Sequence, residues 1–492
     1  MTETAKKKRG MPSSFTILLA LLAIVAVITV IVSGTSGGAV TAARLSDFCT
    51  APILGFADAL PVCLFVMILG GFLGMMTETG ALDNGIAVLV QKLKGNEIML
   101  VPVLMLIFSL GGTTYGMCEE TVPFYALLAA TMMAAGFDPM VGAATVLLGA
   151  GCGCLGSTVN PFAVGAAVDA LTGVGIEVNQ SIIIGLGAVL WIVTTAMSIV
   201  FVMNYAKKVK ADKGSTILSM QELKDAEEAH GKAASEVHKE VKLTGRQKGV
   251  LIAFAFTFVV MIVGFIPLAD LNEGVANFFD AGAVYDADGN IVVQGWSALI
   301  TGLPIGQWYF DEASTWFFLM AVLIGIIGGL SEKQIVNTFI TGAADMMSVV
   351  LVIALARGIS VLMANTGLDV FVLDAAANAL AGLSGVIFAP MSFLVYFGLS
   401  FLIPSTSGMA TVSMPIMGPL AVKLGFSPEV MVMIFSSAIG VVNLFTPTSG
   451  AIMGGLALAK IEWTTWLKFA LKLIVALSVV CAIILTVACV ML

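Results

Sequence analysis

Residues 110–129 read LGGTTYGMCEETVPFYALLA, residues 402–421 read LIPSTSGMATVSMPIMGPLA, and the two stretches align without a gap. Identical residues occupy the pairs Leu110/Leu402, Thr114/Thr406, Gly116/Gly408, Met117/Met409, Pro123/Pro415, Leu128/Leu420 and Ala129/Ala421. A second block follows in each half, where 136–139 (GFDP) corresponds to 425–428 (GFSP) and the register continues through Gly151/Gly440, Leu155/Leu444 and Gly165/Gly454. The chain is therefore an internal duplication of apolar helices interrupted by Gly, Pro and hydroxyl residues.

The composition excludes a water-soluble globule. Of the 492 residues, 59% are hydrophobic and 11% are charged, and the mean hydropathy is +1.04. This leaves too little polar surface to cover a soluble protein of this length, so we predict an all-α polytopic membrane protein in a lipid bilayer. The cysteines and histidines show no metal-ligand spacing, and no nucleotide-binding Gly-rich loop is present. We therefore predict no enzymatic activity, no nucleic-acid partner and no cofactor other than a coupling Na⁺ or H⁺.

Charged residues orient the predicted spans. The 206–248 segment holds ten of the 23 Lys and Arg residues, whereas 269–313 has seven acidic residues and no basic one. Because Lys and Arg favour cytoplasmic loops, this asymmetry predicts a cytoplasmic N-terminus in a bacterial inner (plasma) membrane, with Lys92 and Lys94 on the same side. The predicted spans lie at roughly 14–33, 57–76, 139–172, 182–205, 249–268, 314–331, 345–363, 428–455 and 464–489.

Two segments cannot be simple spans. Residues 97–135 and 384–424 are too long and too often interrupted by Gly or Pro to cross once, and the charge pattern requires each to return to the side from which it entered. We predict two re-entrant helical hairpins that enter from opposite faces, so that the halves are inverted structural repeats. Their tips, 111–116 and 404–408, are predicted to be non-helical backbone, which is tolerated at membrane depth only inside protein or beside a wet cavity.

These assignments divide the chain into five parts. They are the N-terminal tail and first span (1–56), the first repeat with a cytoplasmic-side hairpin (57–205), a cytoplasmic linker (206–248), a connecting span with an external loop (249–313) and the second repeat with an external-side hairpin (314–492). The linker mixes ten basic and seven acidic residues, which is typical of a solvated, partly helical connection. Segments 84–93 and 368–382 are predicted to be interfacial amphipathic helices.

Each hairpin precedes a span that is broken near its centre, at 156–161 (GSTVNP) and 443–450 (NLFTPTSG). Pro removes a backbone donor and Gly loosens a helix, so N–H groups and oxygens are freed that suit an anionic substrate group and Na⁺. For any single side chain, recapping of the broken helix is the alternative role. The predicted substrate site comprises Thr113, Thr114, Glu119, Glu120, Ser157, Thr158, Asn160, Arg357, Ser405, Thr406, Ser407, Asn443, Thr446, Thr448 and Ser449, with candidate Na⁺ ligands at Thr114, Asn160, Thr406 and Thr448.

Three charged residues within the apolar segments are functional candidates. Glu119 and Glu120 follow the first tip, whereas the second half has the neutral Thr411 and Val412 at the equivalent positions. A carboxylate that complements a helix N-terminus explains one glutamate, but two adjacent ones also suggest a substrate or an ionic partner. Arg357 lies within an apolar span. It is predicted either to pair with one of the two glutamates or to hold a substrate carboxylate through its planar fork.

The motifs GGTTYGMCEETVPF and GSTVNPF, with PSTSG and TPTSG in the second half, resemble the YfcC-like branch of the anaerobic C4-dicarboxylate carrier (DcuC) family, within the ion transporter superfamily. The resemblance covers most of the chain. It implies a scaffold domain, a transport domain with two opposed hairpins, a homodimer and an elevator motion. Members of this branch are described as C4-dicarboxylate carriers or basic amino-acid antiporters. The superfamily binds Na⁺ and substrate carboxylate with Ser/Asn/Thr tip motifs, from which 113–115 (TTY) departs.

The residues and the resemblance together predict a secondary active transporter of a small molecule. A dicarboxylate would meet Glu119 and Glu120, and like charge in a partly desolvated site is costly. An amino acid fits better, because its amine or cationic side chain can meet a glutamate while its carboxylate meets Arg357 or the tips. We expect basic amino-acid antiport or cation-coupled symport, with C4-dicarboxylate transport as the alternative. An ion channel is the rival class, but inverted broken helices favour alternating access.

Overall fold

The computed structural model describes residues 14–236, 242–286, 291–403 and 405–492, apart from 83, 86, 87 and 89–95. Within these residues the protein is almost entirely helical, and its β-structure is one short antiparallel pair, Val284–Tyr285 with Ile291–Val293. Eight of the described helices are long and apolar enough to cross a membrane. The predicted all-α membrane fold is confirmed. Lys92, Lys94, Pro404 and most of segment 84–93 lie outside the described residues.

The long helices coincide closely with the predicted spans. Seven of them match: Ser14–Ser33, Leu60–Glu78, Gln180–Ala211, Gly245–Phe265, Phe310–Gly328, Met347–Thr366 and Trp463–Met491. Shorter helices are Leu45–Asp58, Met220–Glu236, Leu268–Leu271, Glu273–Phe279, Glu332–Asp345 and Leu368–Leu380, and single 3₁₀ turns lie at Glu97–Met99, Glu119–Thr121 and Lys213–Ser215. The helix Leu368–Leu380 falls where an amphipathic helix was predicted.

The other two predicted spans are broken helices, as the sequence indicates. The first broken helix consists of Pro139–Leu155, a π-helical turn at Pro161–Gly165 and Ala166–Thr172. The second consists of Pro428–Val442 and Gly450–Leu458. Both begin in the same way, because Asp138 and Ser427 cap the N-terminus and Pro occupies the first turn, where its missing N–H costs nothing.

Each broken helix packs against both arms of the hairpin that precedes it. The arms of the first hairpin are Leu100–Tyr115 and Val122–Ala134, and those of the second are Gly385–Leu402 and Thr406–Lys423. In both halves the two arms pack against the first part of the following broken helix. In the second hairpin, Tyr396 Oη also donates to Ser413 Oγ on the other arm at 3.1 Å. We call the hairpins, the broken helices and the helices Gln180–Ala211 and Trp463–Met491 the inner group.

The two broken helices cross each other at glycines. A Cβ on Gly151 would lie 2.2 Å from Leu444 Cδ2, and one on Gly440 would lie 2.4 Å from Leu155 Cα. Gly151 and Leu155 are the repeat equivalents of Gly440 and Leu444, so the contacts are reciprocal, as they are around a two-fold axis. Their sequence order is opposite in the two helices, which therefore run antiparallel where they cross. Inverted repeats produce this contact pattern.

The hairpin tips differ from the prediction. Residues 111–115 belong to the helix Leu100–Tyr115, so the first non-helical link is shifted to 116–118, and in the second hairpin the helix already restarts at Thr406. The first helix continues to Tyr115 while packed on the broken helix, since a Cβ on Gly112 would lie 2.2 Å from Ala150 O. Gly116, in the left-handed conformation at φ 79°, ends that helix.

Seven further helices form an outer group beside the inner one. This outer group comprises Ser14–Ser33, Leu45–Asp58, Leu60–Glu78, Gly245–Phe265, Phe310–Gly328, Glu332–Asp345 and Met347–Thr366. Within it, Leu45–Asp58 and Met347–Thr366 approach so closely that a Cβ on Gly55 would lie 2.3 Å from Gly358 N. Small residues permit such backbone contact between membrane helices. The contact brings Asp58 alongside Arg357.

The linker is more ordered than predicted, because its helix Met220–Glu236 is docked on the inner group. Glu222, Ala226 and His230 follow one another at four-residue spacing and form a buried face. Glu222 Oε1 accepts a hydrogen bond from Glu462 N at 2.9 Å, and His230 Nε2 lies 3.1 Å from Leu458 O. The same helix packs against the Val122–Ala134 arm. The linker helix thus contacts both halves through this face, while Gln221, Lys224, Glu227 and Glu228 on the rest of its surface are exposed.

The docking of this helix should weaken on acidification. Burial lowers the pKa of His230, the charge of Lys460 acts in the same direction, and the hydrogen bond to Leu458 opposes them. Because the undocked imidazole binds a proton more readily, docking is complete above the usual histidine pKa of about 6.5 and weakens below it. Hydrogen exchange of residues 220–236, corrected for intrinsic rates, should accelerate between about pH 7.5 and 5.5. The His230→Gln variant should lose this dependence, and an unchanged pH profile in that variant would contradict the assignment to His230.

Candidate functional site

One cavity of about 170 Å³ lies where the hairpin tips, the helix breaks and the outer group meet. The outer group contributes Ala59, Val62, Phe310, Ile353, Ala356 and Arg357 to its wall. The predicted site residues that line it are Glu119, Glu120, Asn160, Arg357, Ser405, Thr406, Ser407, Asn443, Thr448 and Ser449. The predicted site residues outside its lining are Thr113, Thr114, Ser157, Thr158 and Thr446.

Four of the five residues outside the lining hold the helix breaks in place. Thr113 Oγ1 donates to Gly156 O at 2.7 Å, and Thr158 N and Oγ1 both donate to Thr113 O. Ser157 Oγ donates to Cys154 O and accepts from Asn160 Nδ2. Thr446 Oγ1 lies 2.7 Å from Thr448 Oγ1 and accepts from the Thr448 N–H. These bonds satisfy backbone groups that the breaks would leave orphaned.

Asn160 connects the first break to the first tip. Its Oδ1 accepts from Phe162 N at 2.9 Å and Ala163 N at 3.3 Å, which caps the helical turn after the break. Its side chain lies directly against Gly116 in the tip. Of the predicted Na⁺ ligands, Asn160, Thr406 and Thr448 line the cavity, whereas Thr114 bonds within its own helix.

Gly116 should be intolerant of substitution. Its φ of 79° is unfavourable for any L side chain, and a Cβ there would lie 2.5 Å from Asn160 Oδ1. Gly136 offers a matched control, since its φ is 87° but nothing lies within 4 Å of its Cβ position. We expect Gly116→Ala to abolish transport and Gly136→Ala to cost only the backbone strain, about 1 kcal/mol. Thermal unfolding and uptake of both variants measure this, and equal losses would show that the clash with Asn160 is irrelevant.

The two glutamates differ in their environment. Glu120 is 2% exposed, and its Oε2 accepts a hydrogen bond from Cys118 N at 3.0 Å, so it caps the turn after the tip. Glu119 is half-buried and lines the same cavity. The alternative of a carboxylate that complements a helix start therefore accounts for Glu120. Glu119 is the glutamate that the cap does not explain.

Arg357 forms an ion pair, but with a residue that the sequence analysis did not single out. Its Nε lies 2.9 Å from Asp58 Oδ2, and this replaces the predicted pairing with Glu119 or Glu120. The sequence signal that could have identified Asp58 was its position at the start of an apolar span. Its pairing with Arg357 is explained only by the Gly55–Gly358 contact. With Nε held by Asp58, the rest of the fork faces the second tip, since Nη1 lies 4.0 Å from the position of a Cβ on Gly408.

Comparison with known proteins assigns this architecture to a family. The chain is 29% identical over 445 residues to an uncharacterized protein of Haemophilus influenzae, covering 90% of this chain and 78% of that protein. It is 27% identical over 440 residues to the putative basic amino acid antiporter YfcC of Escherichia coli, covering 87% and 77%.

Two solved structures are also similar. MtrF of Neisseria gonorrhoeae is 16% identical, with a TM-score of 0.45, and the match covers 98% of this chain and 96% of that one. The YdaH transporter of Alcanivorax borkumensis is 15% identical, with a TM-score of 0.49, and the match covers 96% of this chain and 97% of that one. The family described as C4-dicarboxylate anaerobic carrier (DcuC) matches residues 11–490. Since that match spans nearly the whole sequence, the chain belongs to the DcuC family of membrane transporters.

Proposed function

We propose that this membrane transporter carries amino acids, preferably basic ones, by exchange or by cation-coupled symport. The observation that carries the proposal is the division of charge in the cavity. Both carboxylates, Glu119 and Glu120, come from the first hairpin, whereas the guanidinium of Arg357 comes from the outer group. An amino acid has an ammonium and a carboxylate, and a basic side chain adds a second cation for the second glutamate.

The charge balance favours this substrate over a dianion. The charged residues that line the cavity are two glutamates and one arginine, and that arginine already has Asp58 as a partner. A dicarboxylate would therefore add like charge to a site that is acidic, unless a glutamate is protonated. The name of the E. coli relative, putative basic amino acid antiporter, agrees with the proposal. The family description and the donors around Arg357 support C4-dicarboxylates as the second candidate.

The proposed transport cycle is an elevator motion of the inner group against the outer group. The cavity lies at the boundary between the two groups, so relative movement would carry the substrate away from Arg357 while the tips and breaks still hold it. In this proposal the hairpins are re-entrant from opposite faces, the N-terminus is cytoplasmic, the membrane is the bacterial inner membrane and the protein is a homodimer. Asn160, Thr406 and Thr448 are the residues that would hold a coupling Na⁺.

Ligand-dependent thermal stability of the purified protein tests the substrate assignment. A ligand at 100 times its dissociation constant stabilises the folded state by about 2.7 kcal/mol. We expect arginine or lysine to raise the melting temperature and succinate or fumarate to leave it unchanged, with parallel series in Na⁺ and in choline to identify coupling. Stabilisation by a dicarboxylate alone would transfer the assignment to the second candidate.

A further inference from the structure

The helix Pro428–Val442 has a polar face toward the cavity that its repeat equivalent lacks. Ser436, Gly440 and Asn443 follow one another at helical spacing, and all three line the cavity. Their equivalents on Pro139–Leu155 also line the cavity and are Leu147, Gly151 and Cys154. The duplication therefore places equivalent positions of both broken helices at the cavity, but only the second broken helix has a hydroxyl and an amide at these positions.

Ser436 is buried without a hydrogen-bond partner. It is 2% exposed, and its Oγ finds no donor or acceptor in the described chain. The adjacent Ser437 is equally buried, but its Oγ donates to Met433 O at 2.6 Å, which is the common arrangement for a serine inside a helix. Buried polar groups are nearly always paired. The hydroxyl of Ser436 is thus available to a group that the protein itself does not supply.

The chemistry of this wall identifies that group. Arg357, Ser405, Ser407, Ser436 and Asn443 all carry hydrogen-bond donors, whereas the acceptor-only glutamates belong to the first hairpin. We propose that Ser436 and Asn443 bind the carboxylate of the substrate together with Arg357, and so fix the direction in which the substrate lies. This inference rests on the proposed function. It adds an uncharged recognition point that the charged residues do not provide.

A comparison of a basic amino acid with its decarboxylated form tests the orientation. Arginine and agmatine differ only in the carboxylate, so a residue that binds this group should matter for arginine and not for agmatine. Ser436→Ala should weaken arginine binding about tenfold, as expected for a lost hydrogen bond to a charged group, and leave agmatine binding within about twofold. Asn443→Cys, which introduces the first-half residue, should behave in the same way.

Ser437→Ala is the matched control and should change neither affinity, and the thermal stability of each variant reports its folding. Equal losses for arginine and agmatine, or no loss for either in a folded Ser436→Ala protein, would overturn the inference while leaving the proposed function intact. A wild-type protein that binds neither arginine nor lysine would instead overturn the proposed function, and this orientation with it.

Discussion

Arg357→Gln should reduce amino-acid uptake about 30-fold or more, because removing one partner of a hydrogen-bonded charge pair that substrate binding desolvates, here the pair of Arg357 with the substrate carboxylate, costs about 2–5 kcal/mol. Glutamine keeps some length and polarity but loses the charge and the planar fork. Arg357 is the cation that lines the cavity, and its Nη1 is directed toward the second tip. Uptake kinetics in proteoliposomes should show the loss mainly as a raised KM.

Two further variants separate binding from folding. Asp58→Asn retains an oxygen that can accept from Arg357 Nε, and Asp58 is 51% exposed, so we expect only a few-fold loss. Arg246→Gln removes an exposed guanidinium that packs at Gly329, far along the chain from the cavity residues, and should leave uptake unchanged. Undiminished uptake by a folded Arg357→Gln protein would eliminate Arg357 as a substrate ligand.

Glu119→Gln should weaken binding of a basic amino acid by more than about tenfold, since the substitution keeps the shape and removes the charge that faces the cation. Glu120→Gln should have a smaller effect, because the amide oxygen still accepts from Cys118 N and the cap survives. Binding titrations of arginine with both variants measure this difference.

The same variants discriminate between the two substrate classes. The site is a dicarboxylate site if two results are found together. Glu119→Gln binds succinate at least as tightly as the wild-type protein does, and arginine binds to neither of these two proteins. A larger loss for Glu120→Gln than for Glu119→Gln would instead show that the capping glutamate is the substrate ligand.

The sequence predicts the spans and the helix breaks well because these depend on local composition. Apolar runs of about 20 residues define the long helices, and the Gly, Pro and Asn clusters at 156–161 and 443–450 leave few intrahelical hydrogen bonds to form. The duplication also singles out many residues that line one cavity, since equivalent segments of both halves surround it.

The errors arise where tertiary contacts decide. The tip at 111–116 stays helical through Tyr115 because Gly112 packs against the broken helix, where a Cβ would lie 2.2 Å from Ala150 O, instead of forming the loop that Gly111 and Gly112 suggest. The partner of Arg357 depends on a glycine contact between helices about 300 residues apart in sequence, which no local pattern encodes. Ser436 was missed because a serine in an apolar helix usually bonds to its own backbone, as Ser437 does.

Counterflow in proteoliposomes tests the central claim most directly. Vesicles loaded with unlabelled arginine and diluted into trace labelled arginine should accumulate the label transiently above equilibrium. After an alternating-access site has released labelled arginine inside, it returns outward mostly with unlabelled arginine, so the label leaves more slowly than it enters. Vesicles containing Arg357→Gln should show little accumulation. A channel would equilibrate the label without overshoot. This account predicts an overshoot with a basic amino acid. The account would be contradicted if basic amino acids gave no overshoot while succinate-loaded vesicles gave one with labelled succinate.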